Sequence, residues 1–283
     1  MKQVPRNHDG HPFHHAREPV VAGTFYPGDE CTLRDSVSDM LTTARKTYAG
    51  EPIDARAIIV PHAGHQYSGQ VAADVYARIK PVKRAIIVGP SHTTSFRGVV
   101  TDNHDAWSTP LGTIGLWNAG IGTFPDAFDA EHCLEVQLPF LQLAMPGIRI
   151  LPLLVGEADP DALAASIMPL LDSGTLLIIS SDLSHYHPFE KAVRIDTGTT
   201  SAIARMDLAG TLHGEACGML PIIMALIIAR QQHWQCRLVT YRNSGHVAAK
   251  EHVVGYGSFV FTQEDEGTRN SSIRELLSTI EDQ

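Results

Sequence analysis

No stretch of this chain approaches the ~20 consecutive apolar residues that a membrane-spanning helix needs. The longest candidate, Pro221 to Ala229, stops at Arg230. The first residues, Met1 to Arg17, are polar and rich in His and Pro, so they do not read as a secretory signal. The chain is expected to be cytoplasmic. Basic blocks are missing too: 22 Lys and Arg stand against 31 Asp and Glu, a net charge of −9. That balance argues against nucleic acid or an anionic membrane as the main partner. Cysteine is scarce, at positions 31, 133, 217 and 236, with no CxxC pair and no zinc-knuckle spacing. Such thiols are expected to be reduced and mostly buried. The sequence also lacks a G-x-S-x-G elbow, a P-loop, a dinucleotide-binding glycine fingerprint and an H-E-x-x-H zinc motif.

What it has instead is one sentence stated three times. Ala57-Ile-Ile-Val-Pro-His62, Ala85-Ile-Ile-Val-Gly-Pro-Ser-His92 and Thr175-Leu-Leu-Ile-Ile-Ser-Ser-Asp182-Leu-Ser-His185 are each an apolar, β-branched run followed by small turn residues and a histidine. Runs that do not alternate read as strands buried on both faces. Val71, Val75, Tyr76 and Ile79 lie between the first two runs at the spacing of one helix face. Strand–helix–strand units cross over right-handedly, so the strands are parallel and the histidines leave at one C-terminal edge. Open α/β sheets bind their ligands at that edge.

The remaining pattern fits the same class. Thr32 to Thr47 is an amphipathic helix, Trp107 to Leu116 a hairpin, and Asp126 to Leu143 a helix that Pro139 must kink. That helix would place His132 and Glu135 on one face. Ile148 to Val155 is a strand whose Pro152 suggests an edge or a bulge. Helices follow at Phe189 to Leu208 and Pro221 to Gln232, then strands at Cys236 to Arg242 and Val253 to Thr262. We therefore expect an α/β fold: a single domain with a central, mostly parallel sheet and helices on both faces. It would span residues 17–263, after a His-rich tail (1–16) and before a charged tail (264–283) with a short helix, Ser272 to Ile280.

The histidines are the candidate chemistry. Neutral imidazoles suit Fe, Zn, Cu or Ni, and two His plus one further ligand leave positions open. His62 and His92, each on a short turn after a strand, fill the first two places, or else merely hydrogen-bond their loops. His185, and after it His187, is a candidate acid/base near neutral pH. Asp182 and Glu135 are candidates to orient an imidazole, with helix capping and simple pairing to His132 as the plainer readings. Cys217 reads as a packed thiol, although Gly218 beside it leaves room for approach.

Five segments occur in one order: Val20-Val-Ala-Gly-Thr-Phe-Tyr-Pro27, Val60-Pro-His-Ala-Gly64 with Tyr67-Ser-Gly69, Gly89-Pro-Ser-His92, Glu131-His-Cys-Leu-Glu-Val-Gln-Leu-Pro-Phe140 and Ser180-Ser-Asp-Leu-Ser-His185. Together they closely resemble the Memo family, known in prokaryotes as AmmeMemoRadiSam system protein B, from about Arg17 to Phe261. Memo proteins look like class III extradiol dioxygenases, non-haem Fe(II) enzymes. The resemblance implies a divalent metal, Fe(II) first with copper or zinc as alternatives, held by His62 and His92, with His185 as acid/base supported by Asp182. In the animal protein a cysteine from the loop before the last strand completes the site. Here that loop reads Ser244-Gly-His246-Val, so His246 is the candidate third ligand. The implied function is a metal-dependent oxidoreductase acting on a small oxygen-rich or aromatic molecule. The alternative is a non-catalytic ligand- or peptide-binding accessory to AMMECR1-like and radical SAM proteins.

Overall fold

The three repeated runs become neighbours in one sheet. In the computed structural model, which describes residues 15–248 and 251–264, the chain runs β1 (Ala16–Arg17), α1 (Glu30–Thr47), β2 (Ala55–Val60), α2 (Gln70–Tyr76) and β3 (Arg84–Pro90). It continues through β4 (Val99–Thr101), β5 (Ala106–Thr109), β6 (Gly112–Gly115), α3 (Leu138–Ala144), β7 (Arg149–Val155), α4 (Pro160–Ile167) and β8 (Thr175–Ser180). Last come β9 (His185–Pro188), α5 (Phe189–Ala204), α6 (Leu208–Leu212), α7 (Met219–Gln231), β10 (Trp234–Asn243) and β11 (His252–Gln263). The sequence expectations for residues 1–14 and for a helix at Ser272 to Ile280 lie outside the described residues.

The main sheet has the order β10-β11-β2-β8-β3-β7-β4. The four inner strands β2, β8, β3 and β7 are parallel. Both sides then turn antiparallel, through β11 and β10 on one edge and β4 on the other. The sheet is therefore mixed, not mostly parallel as expected. Strand periodicity records burial and not direction, and β10 returns to β11 by a short connection that only antiparallel neighbours allow.

The unbroken apolar runs follow from the two layers. Ile58, Val60, Ile87 and Ile178 pack under α1, α2 and α3 with Leu33, Val37, Val75 and Phe140. Ala57, Ile59, Ile86, Val88 and Ile179 pack on the opposite side with Leu163 and Ile167 of α4 and Ile222 and Leu226 of α7. Each inner strand thus needs apolar side chains at every position. Helix α7 is buried from Pro221 through Ala229, so it carries no polar face. Among the described residues, no helix is long and apolar enough to cross a membrane.

Two local expectations change. Pro152 sits in a regular register, paired with Ile87 between β3 and β4, neither at an edge nor in a bulge. Its carbonyl accepts from the Thr101 hydroxyl, and its neighbour β4 is only three residues long. The expected helix from Asp126 to Leu143 is continuous only over Leu138–Ala144, with short tight turns at Pro125–Ala127 and Glu135–Gln137. Pro139 lies in the first turn of α3, where its missing N–H costs nothing, so the helix starts there without a kink.

Candidate metal centre

Registers of the inner strands bring their ends level: Val60 pairs with Ser180, and Val88 with Ile179. His62 therefore leaves the sheet two residues beyond β2, beside the end of β8. Its backbone N–H donates to Asp182 Oδ1 at 2.7 Å, and Gln137 Nε2 holds the Pro61 carbonyl at 2.8 Å. The ring is buried, and its Nδ1 lies 3.1 Å from Ser180 Oγ. That hydroxyl donates its own proton to the Cys133 carbonyl at 2.6 Å. Ser180 Oγ can then only accept from the imidazole, so His62 carries its proton on Nδ1 and presents the lone pair of Nε2.

His92 is fixed in the same manner by a different group. Glu131, 2% exposed, accepts from the His92 backbone N–H at 2.7 Å and faces His92 Nδ1 at 3.0 Å. One of its oxygens also accepts from the amides of His132 and Cys133. Burial opposes ionisation of Glu131, but the hydrogen bonds from His132 and His92 prevail and hold it well below the usual carboxylate range. His92 is pushed up to about 9 by its hydrogen bonds to Cys217 and Glu131.

The third imidazole is His132. Ligand atoms of His62, His92 and His132 all lie within 4.8 Å of one another. The His92 and His132 rings stack at 4.9 Å, while His62 meets both edge-on. Phe25 backs the His132 ring at 4.8 Å. Cys217, from the turn before α7, puts its sulfur 3.2 Å from His62 Nε2. The Asp182 N–H donates to the same sulfur at 3.2 Å.

This donor set fits a first-row transition ion. Each imidazole has its Nδ1 beside an orienting partner, Ser180 for His62 and Glu131 for His92 and, at 3.3 Å, for His132, the arrangement of a metal-ligating histidine. A thiol adds a soft ligand that zinc, copper and iron accept. Cys133, whose sulfur also lies near His92 and Glu131, is a poorer ligand. It is fully buried, donates to the Pro90 carbonyl at 3.3 Å, and burial pushes its thiol up.

The other sequence candidates have different partners. His246 closes the turn after β10: its Nδ1 lies 2.9 Å from Asn243 Oδ1, and its ring packs on Phe189. Among the described residues it is not in the three-histidine group. Nor is His185, which opens β9 opposite Val254 with its ring beside Tyr186. His187 pairs with Glu215 at 2.8 Å. Asp182 grips the backbone of the His62 turn and not an imidazole. Glu135, fully buried, accepts from Arg17, the amides of Val20 and Val21, and Tyr26 Oη. It anchors the 17–26 arm.

Comparison with known proteins gives the lineage of this arrangement. The family model for Memo-like protein matches residues 17–260. The chain belongs to the Memo family. A MEMO1 family protein of Aquifex aeolicus is 35% identical over 267 residues, covering 87% of this chain and 98% of its own length. Another from Archaeoglobus fulgidus is 32% identical over 265 residues, covering 87% and 99%. A third, from Methanococcoides burtonii, is 35% identical over 269 residues, covering 86% and 99%. In this Memo chain, sequence reasoning named His62 and His92 of the cluster but did not name His132 or Glu131 beside them, nor the approach of Cys217 to His62. The Glu131-His132 pair stood inside a recognised segment, yet the helix assumed there turned attention to Glu135. Cys217 carried no signal in its own neighbourhood.

Proposed function

We propose that this Memo-family protein binds a first-row transition metal, iron or alternatively copper or zinc, through His62, His92 and Cys217, with His132 beside them. The observation that carries this is the approach of Cys217 Sγ to His62 Nε2 at 3.2 Å, with Nδ1 of the same ring held by Ser180. When bound, the ion would act as a Lewis acid toward an oxygen of a small ligand, and iron or copper would add a one-electron couple. The protein's own part is positional. Ser180 and Glu131 aim the two imidazoles, Asp182 fixes both the His62 turn and the thiol, and Phe25 covers His132. His185, which opens β9 three residues after Asp182, is the residue we assign to accept a proton from a hydroxylated ligand. The reaction class this supports is oxidation of a small oxygen-rich or aromatic molecule.

Metal content after anaerobic purification and reconstitution tests the reading. The wild type is expected to hold about one ion per chain, His62→Ala, His92→Ala and Cys217→Ser to lose most of it, and His246→Ala to retain it. Cobalt(II) loading should give an intense near-ultraviolet sulfur-to-metal band that Cys217→Ser abolishes. A wild type that takes up neither iron, copper, zinc nor cobalt would sink the proposal. Retained metal without oxygen uptake on catechol-like substrates would leave a binding protein, and the accessory role beside AMMECR1-like and radical SAM proteins would take first place.

A further inference from the structure

A cavity of about 290 Å³ lies beside the proposed centre, and Cys217 forms part of its wall. The rest of the wall comes from the loop after β3, the end of β7 and the start of α7. Phe96, Val155, Met219 and Leu220 give it apolar surface, and Thr94 and Ser95 add hydroxyls. Among the described residues that line it there is no Lys, Arg or His. Its one acid, Glu157, lies 3.4 Å from Arg97, so that charge is already matched.

Backbone contacts hold this space open in advance. Ser91 closes the turn at its edge, its hydroxyl donating to the Thr94 carbonyl at 2.7 Å. Behind that turn the Glu157 N–H donates to the Phe96 carbonyl, and the Gly98 N–H to the Glu157 carbonyl, both at 2.9 Å. Gly156 permits the approach, since a Cβ there would collide with the Phe96 carbonyl. Little ordering is left for a ligand to bring about. A dry cavity of about 150 Å³ accepts benzene, so the larger space here has room for a ring with its substituents. An ionised group would be stripped of water there without gaining a partner, which is costly. The chain's net charge of −9 repels anions further.

We propose that this cavity selects a small uncharged ring compound, a neutral phenol in preference to an anionic one, as the ligand of the proposed metal centre. Assigning that ligand to the centre rests on the metal reading, because Cys217 belongs to both. The preference for a neutral ring rests on the cavity's own lining. Phe96 and Leu220 set the fit of the ring, and the lack of a cation among the described lining residues sets the bar against carboxylates. Ser95, exposed at the rim, is where that bar can be lifted.

The test follows the methyl resonances of Met219 and Leu220 in the isotope-labelled full chain, zinc-loaded and metal-free. The probes are para-cresol and para-hydroxybenzoate, similar in size and different in charge. Para-cresol is expected to shift both methyls saturably in the zinc-loaded chain. Para-hydroxybenzoate should bind at least about tenfold more weakly, because its carboxylate finds no partner. Leu220→Trp, read at Met219, should abolish para-cresol binding and leave zinc stoichiometry unchanged. Ser95→Lys should raise the affinity for para-hydroxybenzoate about two- to fivefold, the worth of an exposed ion pair, and leave that for para-cresol as it was. Equal affinity for the two probes, or silent cavity methyls, would overturn the proposal, as would undiminished para-cresol binding in a folded Leu220→Trp chain. Zinc uptake is measured separately. A chain that holds zinc and ignores para-cresol refutes the cavity assignment alone. One that takes no zinc yet still prefers para-cresol refutes the metal reading and leaves the cavity's selectivity standing.

Discussion

Glu131 holds His92 at both ends, its two oxygens on the backbone N–H at 2.7 Å and on ring Nδ1 at 3.0 Å. The loop after β3 is thereby locked to the segment that carries His132, and one buried carboxylate sets the position of two of the three imidazoles. Glu131→Gln keeps the shape but loses the charge. Loss of such an orienting group costs 10–100-fold in metal affinity as a rule, and zinc competition titration should show a loss of about that size.

The same contact sets a pH dependence of binding. His92 is pushed up to about 9, first by its hydrogen bond to Cys217 and then by that to Glu131. Below that pH an incoming ion must displace the imidazole proton. Zinc affinity should therefore rise about tenfold or more per pH unit as pH increases toward about 9. A flat profile between pH 6 and 8, measured by competition with a chromogenic chelator and corrected for its own protonation, would contradict this.

Stability of the metal-free protein should run the other way. The folded His92 value lies above the ordinary 6.5, so its contribution is whole below about 6.5 and is lost as pH rises through about 9. Glu131 is depressed below 4.5, so its contribution is present above that value and is lost as pH falls. The melting temperature of chelated protein should therefore decline from pH 6.5 to 9. Glu131→Gln should flatten that decline.

Glu135 and Arg17 form a fully buried pair at 2.7 Å. Removing one partner strands the other, and breaking such a pair costs about 3–5 kcal/mol. Glu135→Ala should lower stability by that order in urea unfolding. Because Glu135 touches no histidine of the centre, the folded variant should keep its metal stoichiometry at low temperature.

Gly89 supports the centre by having no side chain. A Cβ there would lie 2.6 Å from Cys133 Sγ and 2.8 Å from Leu134 Cδ2. Gly89→Ala must push the 131–134 segment away from β3, at a cost of about 1–3 kcal/mol typical of overpacking. Both a lower melting temperature and weaker zinc binding are expected; normal binding in a destabilised variant would show that the segment can shift without moving His132.

The repeated strand–turn–histidine sentence was legible because its information is local. Four or five apolar residues make a two-sided strand, and the residues that follow must emerge at its end. His62 and His92 were found in that way, and so were the inner strands and most helices. What was hidden depends on distant partners. Glu131 does not continue a helix because its carboxylate takes three backbone amides, and no periodicity announces that. Cys217 looked like core filler because the group that gives it meaning, His62, lies 155 residues earlier. Strand direction at the sheet edges was hidden for a related reason, since β10 and β11 carry the same residue types in either orientation.

That separation of 155 residues also orders events in time. His62 is made early, but the sulfur that completes its surroundings arrives only after most of the chain, and it can take its place only once α7 has packed on the sheet. A growing polypeptide can expose these histidines without yet having a chelate to offer. An ion bound through Cys217, as proposed, would therefore be selected only after synthesis of the core is finished, and its presence would report that the whole sheet has been assembled.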